Sequence, residues 1–343
     1  MDIFFLLSGE HPTLPWAELR SVLEADSSSF YVRENRGQIV RLRTDGKILK
    51  MVASRCGMTK MGCMEIAFSG SRSEDIWRAL GKVRFGDFLS ESDRVAVRIT
   101  RVGSVPGERV EPLERDIGEL IISKVPGIRV DLKNPQIVLL GVLAEDFFIL
   151  GFHEGPIHRN LFFHRRPRKR PFFHATAMSV KLSRCMVNLA RPRPEDLILD
   201  PFCGTGSILL EAGLMGFRIV GGDIKDKMIR GCHTNLKHFR LDANLVIHDA
   251  RKTPFRSVDC MVSDPPYGRA ATTNGLDPSD LLQAFLQEST HHIRKGGHLC
   301  LAFPKELDIK KIGEKAGFNF VESHYLYIHR SLTREIAVFR KDN

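Results

Sequence analysis

From about Ala175 onward the sequence repeats one pattern: a short apolar run, a turn entered through an acid or a glycine, and an amphipathic helix. The runs LILD, RIVGGD, NLVIHD, VDCMVSD and GHLCLAF read as strands, because they are short, continuously apolar and bounded by turn residues. Helical spacing fills the gaps. Met178, Leu182, Cys185, Met186 and Leu189 recur along one helix ahead of the first strand, and further helices start at Gly206, Lys227 and Ser279. Strands that alternate with helices pair in parallel, and the helices then cover both faces of the sheet. The tail VESHYLYIHRSLTREIAVFRK reads as two strands joined by a polar turn, an antiparallel edge. The predicted fold class is α/β, with a mainly parallel Rossmann-like sheet and an antiparallel edge hairpin in the C-terminal half.

Open sheets of this kind bind ligands beyond the carboxyl ends of their strands. Asp200, Asp223, Asp249 and Asp264 stand at such ends. LILD runs into PFCGTGSILLEAG, where Gly204 and Gly206 let the backbone turn tightly and approach a ligand. The helix starting near Ser207 points its positive end at the same place, which suits a nucleotide or nucleoside. A dinucleotide fingerprint would carry a third glycine where this chain has Leu209, so NAD is not favoured. Asp223 stands about twenty residues on, where such folds present a carboxylate to ribose hydroxyls. Asp249 can accept from an adenine amino group, or simply cap the segment that follows it. Asp264 opens DPPYG. Pro265 and Pro266 lack N–H groups, so their carbonyls are free to face a pocket. A carboxylate and a prolyl carbonyl can each take one hydrogen of an exocyclic NH₂ and turn its lone pair toward an electrophile, while Tyr267 stacks on the ring. The plainer alternative is a proline-stiffened turn with an aspartate cap.

The first half has a different texture. DIFFLLS, SSFYVRE and QIVRLRT read as strands, and LPWAELRSVLEA sets Trp16, Leu19, Val22 and Leu23 on one helical face, a small α+β unit. EDIWRALGKV, DRVAVRITRV, LERDIGELIISKV, QIVLLGVLAE and EDFFILGF then give helix, strand, helix and two strands. Arg94, Arg98 and Arg101 lie on or beside one strand, either a row facing phosphate or a solvated strand face. Next comes HRNLFFHRRPRKRPFFH, in which Arg159, Arg165, Arg166, Arg168, Lys169 and Arg170 alternate with Phe162, Phe163, Phe172 and Phe173. Cations among rings suit a strand of RNA, and they equally suit a solvated hinge whose phenylalanines dock. The net charge of +10 favours a polyanionic partner.

The seven cysteines are scattered without C-x-x-C spacing, which fits reduced thiols in a cytoplasm rather than a disulfide framework. The start, MDIFFLLSGEHP, has no basic segment before its apolar run, and no apolar span approaches about 18 residues, so neither secretion nor membrane crossing is expected. His291 and His292 lack a matching set of metal ligands.

DPFCGTG together with DPPYG resembles the adenosylmethionine-dependent amino-methyltransferases, which methylate exocyclic nitrogens of adenine, cytosine or guanine. The resemblance implies a class I methyltransferase fold with a seven-stranded sheet over 173–343, no metal, and bound S-adenosylmethionine that leaves as S-adenosylhomocysteine. On this chain Asp200 to Ser207, with Phe202, Cys203, Gly204, Thr205 and Gly206, would wrap the methionine part. Asp223 would hold the ribose and Asp249 the adenine, while Asp264, Pro265, Pro266 and Tyr267 would hold the target amine. RPFFHATAM is similar to the family's additional cofactor motif and brings in Ala175 and Thr176. The order of the first half resembles an N-terminal ferredoxin-like domain (1–60), an RNA-binding THUMP domain (61–155) and a basic linker (156–172). The whole order resembles the archaeal tRNA guanosine-10 N2-methyltransferase family. That implies tRNA as partner and N2-methylguanosine, then N2,N2-dimethylguanosine, as products in a cytoplasmic setting. An amino-methylase of another tRNA or rRNA guanosine, or of DNA adenine or cytosine, shares these motifs. So does a noncatalytic RNA-binding subunit with an inactive methylase fold. Neither a small accessory activator subunit nor an oligomeric state is evident in the sequence.

Overall fold

The computed structural model describes residues 1–44, 48–103, 110–154, 162–266 and 277–342. The chain divides into two units, Met1–Pro12, Ser28–Ala53 and Thr59–Arg159 in one, and Thr13–Ser27, Ser54–Met58 and Asn160–Asn343 in the other.

In the first unit β1 (Asp2–Leu7), β2 (Phe30–Arg36), β3 (Ile39–Thr44), β4 (Thr59–Gly70), β5 (Arg94–Arg101), β6 (Arg129–Val130), β7 (Ile137–Leu143) and β8 (Phe147–Glu154) form a single sheet in the order β2-β3-β1-β4-β8-β7-β5-β6. The expected break at 60/61 is no break in this sheet, because β4 pairs with β1 on one side and β8 on the other. Between the strands run α1 (Leu14–Ala25), which belongs to the second unit, α2 (Ile48–Arg55), α3 (Ser73–Gly81) and α4 (Val110–Lys124). Ile76 and Leu80 of α3 and Ile117 and Ile121 of α4 bury against Val95, Val97 and Leu139 of the sheet. The arginine row on β5 is partly engaged: Arg98 donates to the Leu132 carbonyl at 2.7 Å, and Arg94 stands 3.6 Å from Asp131.

The second unit carries β9 (Leu197–Asp200), β10 (Arg218–Asp223), β11 (Asn244–Ile247), β12 (Val258–Ser263), β13 (Ile293–Pro304), β14 (Asn319–His329) and β15 (Leu332–Arg340). Their order is β11-β10-β9-β12-β13-β15-β14. The pairs from β11 to β13 are parallel, and β15 pairs antiparallel with β13 and β14, as the alternation and the tail predict. α5 (Val180–Leu189), α6 (Ser207–Leu214), α7 (Asp226–His238), α8 (Pro278–His292) and α9 (Ile309–Ala316) complete the unit. α9 is an addition to the elements read from sequence. It is capped by Asp308, which accepts from the Lys311 N–H, and is closed by Gly317 at φ 102°. One apolar layer joins Cys185, Met186 and Leu189 of α5 to Leu209 and Leu210 of α6, and the other joins Leu282, Phe285 and Leu286 of α8 to Phe303 and Phe339.

Two polar anchors tie distant segments into this unit. Glu18 of α1 is fully buried; its carboxyl accepts from the Gly57 and Met58 N–H groups at 2.8 and 2.7 Å and from Asn188 Nδ2 at 2.8 Å. A buried carboxyl must find such donors, and they lie on 54–58 and α5. This is why residues 13–27 group with the C-terminal sheet and not with the N-terminal one in which sequence order placed them. Glu211 of α6 is also fully buried, held between Arg165 at 2.9 and 3.0 Å and Arg184 at 2.8 Å.

The basic segment is therefore divided in use. Arg165 and the buried Arg170, which donates to Ser207 Oγ at 2.7 Å, turn into the unit, whereas Arg166, Arg168 and Lys169 stay exposed. Arg159 lies outside the described residues. Removing one partner of a buried ion pair leaves the other charge uncompensated. Glu211→Ala is expected to lower the unfolding free energy by about 3 kcal/mol or more in urea titrations, with Glu211→Gln losing less; an unchanged midpoint would show that the two guanidinium groups do not depend on it.

Candidate active site

The site is built at the carboxyl ends of β9, β10, β11 and β12. β9 ends at Asp200 and the chain turns through Gly204 and Gly206 at φ 51° and 81°, in the left-handed region that favours glycine. A Cβ on Gly206 would fall 2.6 Å from Cys232 Sγ, so α6 must begin against α7 without a side chain there. A Cβ on Gly204 would meet nothing closer than the Phe202 carbonyl at 3.9 Å, so the space over the turn is open to a ligand. The turn is fastened to the next strand: the Cys203 N–H donates to the Gly222 carbonyl at 2.8 Å and the Gly204 N–H to Asp223 Oδ2 at 3.1 Å.

Asp223 takes a second donor, the Lys225 N–H at 2.9 Å. Each of its oxygens still has a lone pair to offer. Asp249 caps its own turn, accepting from the Arg251 N–H at 3.0 Å, and both its oxygens are also held by the Arg251 side chain. The hydrogen bond from Arg251 holds its carboxyl below the usual carboxylate range.

Asp200 is buried, and Ser263 Oγ, the last residue of β12, donates to it at 2.6 Å. The Phe202 N–H adds a second bond at 3.2 Å. Burial pushes this carboxyl up to about 7, with the negative charges of Asp223 and Asp264 adding to the rise and the two donors opposing it. Asp200 therefore feels both of these acids across the strand ends. Asp264 follows Ser263 directly and is paired with Arg334 of β15, whose Nη2 lies 3.2 Å from Asp264 Oδ2. Pro265 is buried and Pro266 half-buried; Tyr267 lies outside the described residues.

The other expected residues contribute in different ways. Cys203 and Thr205 are buried, and the Thr205 carbonyl already accepts from Asn235 Nδ2 at 2.9 Å. A hydrogen bond with Cys232, together with burial, holds the Cys203 thiol well above the ordinary thiol range, which suits no nucleophilic role. Phe202 packs edge-on against Phe285 of α8 at 5.1 Å. Ala175 and Thr176 are exposed, with Thr176 Oγ1 2.8 Å from His174 Nδ1. Ser263, Arg251 and Arg334 were not marked by sequence. Ser263 adjoins a marked acid, whereas Arg334 meets its partner only through the sheet.

An open parallel sheet with this strand order, a glycine turn after its first strand and an acid-proline turn after its fourth define a Rossmann-like methyltransferase unit. The comparisons agree. Residues 167–336 match the family model of the RMKL-like methyltransferase domain, and residues 73–233 match a DNA methylase model. The fold is shared with the crystal structure of TrmN from Thermus thermophilus, at TM-score 0.59 and 21% identity, covering 99% of this chain and 100% of that one. The tRNA (guanine(10)-N2)-dimethyltransferase of Methanothermobacter thermautotrophicus is 38% identical, covering 99% of this chain and 100% of its own. The enzyme of the same name from Methanocaldococcus jannaschii is 30% identical, covering 99% of both. The chain belongs to the tRNA (guanine(10)-N2)-dimethyltransferase family.

A carboxyl whose pKa is raised on folding favours the folded state while it is protonated. The Asp200 contribution is therefore full below the ordinary aspartate range and is lost as pH rises through about 7. In ligand-free protein, Asp200→Asn is expected to flatten the fall in unfolding free energy across that window. Urea midpoints measured at a series of pH values check this, and parallel pH curves for the two proteins would contradict it.

Proposed function

We propose that this chain transfers methyl groups from S-adenosylmethionine to the exocyclic N2 of guanosine 10 in tRNA, giving N2-methyl- and then N2,N2-dimethylguanosine. The observation that carries the reading is the Asp264-Pro265-Pro266 turn, set on the same sheet edge as the Gly204–Gly206 turn and joined to it through the Ser263–Asp200 hydrogen bond. Membership of the family supplies the base and its position.

The residues present fit the cofactor. The open space above Gly204 and the N-terminus of α6 would take its methionine part, and Asp223 the ribose hydroxyls. Asp249, steadied by Arg251, would border the adenine. When bound, S-adenosylmethionine supplies an electrophilic methyl on a sulfonium. Asp264 and the Pro265 carbonyl accept the two N–H groups of the guanine amine and hold its lone pair in line with that methyl. Asp264 also offsets positive charge that develops on nitrogen, and the methylated amine then loses a proton without needing a strong base. Tyr267 is assigned the stacking role that offsets part of the cost of drawing the guanosine out of its stack. Cys203 and Cys260 take no covalent part; burial pushes the Cys260 thiol up to about 12.

RNA binding is assigned to the first unit, read as ferredoxin-like and THUMP domains, together with the exposed cations of the basic segment. There Arg166 and Lys169 stand 4.9 and 5.7 Å from the ring centre of Phe163, itself 42% exposed. Cations beside an accessible ring can follow phosphates while the ring meets a base. The match of 73–233 to a DNA methylase model favours a second reading, methylation of an adenine or cytosine amine in DNA.

Incubation of an unmodified tRNA transcript with the protein and S-adenosylmethionine, followed by nucleoside mass spectrometry and mapping, separates the two. Dimethylguanosine at position 10 is expected; methylated adenine or cytosine in a DNA pool, with unmodified tRNA, would overturn the reading. Asp264→Ala is expected to cut methyl transfer by about 10²- to 10³-fold while binding of S-adenosylhomocysteine and tRNA is retained. Comparable turnover in that variant would remove Asp264 from the chemistry.

A further inference from the structure

Arg334 belongs to no motif, yet it is a cation in contact with the acid on which the proposed chemistry turns. β13 runs parallel to β12 with Leu301 opposite Ser263, and β15 runs antiparallel to β13 with Arg334 opposite Pro304. The ends of β12 and β13 and the start of β15 therefore share one edge of the sheet. From there the Arg334 guanidinium reaches past the end of β13 to Asp264 Oδ2, 3.2 Å away, with the two side chains only 16% and 17% exposed.

We propose that Arg334 is a positioning residue for methyl transfer: it pins one carboxylate oxygen of Asp264 so that the other is turned to the target amine, and it keeps that carboxylate charged. The proposal rests on the reading of Asp264 as the amine acceptor.

Among the described residues, the charged groups at these strand ends include Asp200 from β9, Asp223 from β10, the Asp249–Arg251 pair beyond β11 and Arg334 from β15. Ser263 spends its donor on Asp200 and not on Asp264. Carboxyls crowded together raise one another's affinity for protons, and a protonated Asp264 is a poor acceptor from an amine gaining positive charge. A nearby guanidinium opposes such charge when taken alone. Its benefit comes through Asp264, which it keeps ionised and fixes in rotation with a planar fork that a lysine ammonium lacks.

The test compares wild type with Arg334→Met, which keeps the bulk without the charge, and Arg334→Lys, which keeps the charge without the fork. The readouts are kcat and KM against pH, S-adenosylhomocysteine affinity by calorimetry and melting temperature. For Arg334→Met, kcat is expected to fall by about 10²-fold, the scale of a small misplacement at a reacting centre. Its acid limb should move to higher pH while both KM values and the affinity hold. Arg334→Lys should return the limb to its wild-type position and recover only part of kcat.

Wild-type kcat and limb in Arg334→Met would overturn the proposal, as would a loss that merely follows affinity or folded fraction. Should Arg334→Met not fold, Arg334→Lys decides: reduced kcat with an unmoved limb supports the role, and wild-type kcat overturns it. Total radiolabelled methyl transferred is the measure, so a product other than methylguanosine would overturn the base assignment while leaving this comparison standing. A wild type that transfers no methyl at all would overturn both.

Discussion

The hydrogen bond from Ser263 to Asp200 is the constraint around which the site is arranged. It joins the carboxyl ends of β9 and β12, neighbours in the sheet although about sixty residues apart in sequence. From β9 the chain proceeds through α6 to β10 on one side, whereas β12 lies on the other, so this is the switch point where open α/β sheets leave a crevice. The glycine turn and the acid-proline turn flank that crevice. A buried carboxyl without Ser263 and the Phe202 N–H would lose the partners that make its burial tolerable. The relative placement of the glycine turn and the acid-proline turn thus rests on a contact of 2.6 Å at the base of both.

The positive charge of the chain is spent in two ways. Part of it is structural: Arg184 and Arg165 clamp Glu211, Arg170 steadies the start of α6 through Ser207, and Arg191 joins Glu24 of α1 to Glu322 of β14. These guanidinium groups cannot also follow phosphates. The cations left at the surface, among them Arg166, Arg168 and Lys169, are the ones available to a nucleic acid. A net charge of +10 therefore does not measure directly how much positive charge is left at the surface.

The C-terminal sheet was legible because its signals are local. Strands of four to six residues that end in an aspartate or directly before one, and glycines where the backbone takes positive φ, are written in consecutive positions. Helix starts came within a residue of those observed, since Ser207, Asp226 and Pro278 adjoin Gly206, Lys227 and Ser279. What escaped was set by partners far along the chain. α1 reads as part of an N-terminal unit, yet its Glu18 finds its donors at 57, 58 and 188. Arg165 and Arg170 look like their exposed neighbours, and nothing local marks them as the pair that turns inward. Arg334 lies seventy residues from Asp264, and only the antiparallel register brings them together. Asp249 reads as ligand or as cap, and Arg251, two residues on, shows the cap to be made.

The account is tested most directly by a crystal structure of the protein with S-adenosylhomocysteine and a guanosine-containing RNA oligonucleotide. It predicts the thioether sulfur above the Gly204–Gly206 turn and a guanine whose N2 is shared between the Asp264 carboxylate and the Pro265 carbonyl, facing that sulfur. A guanine amine bound elsewhere, with the 264–266 turn directed away from the sulfur, would contradict it.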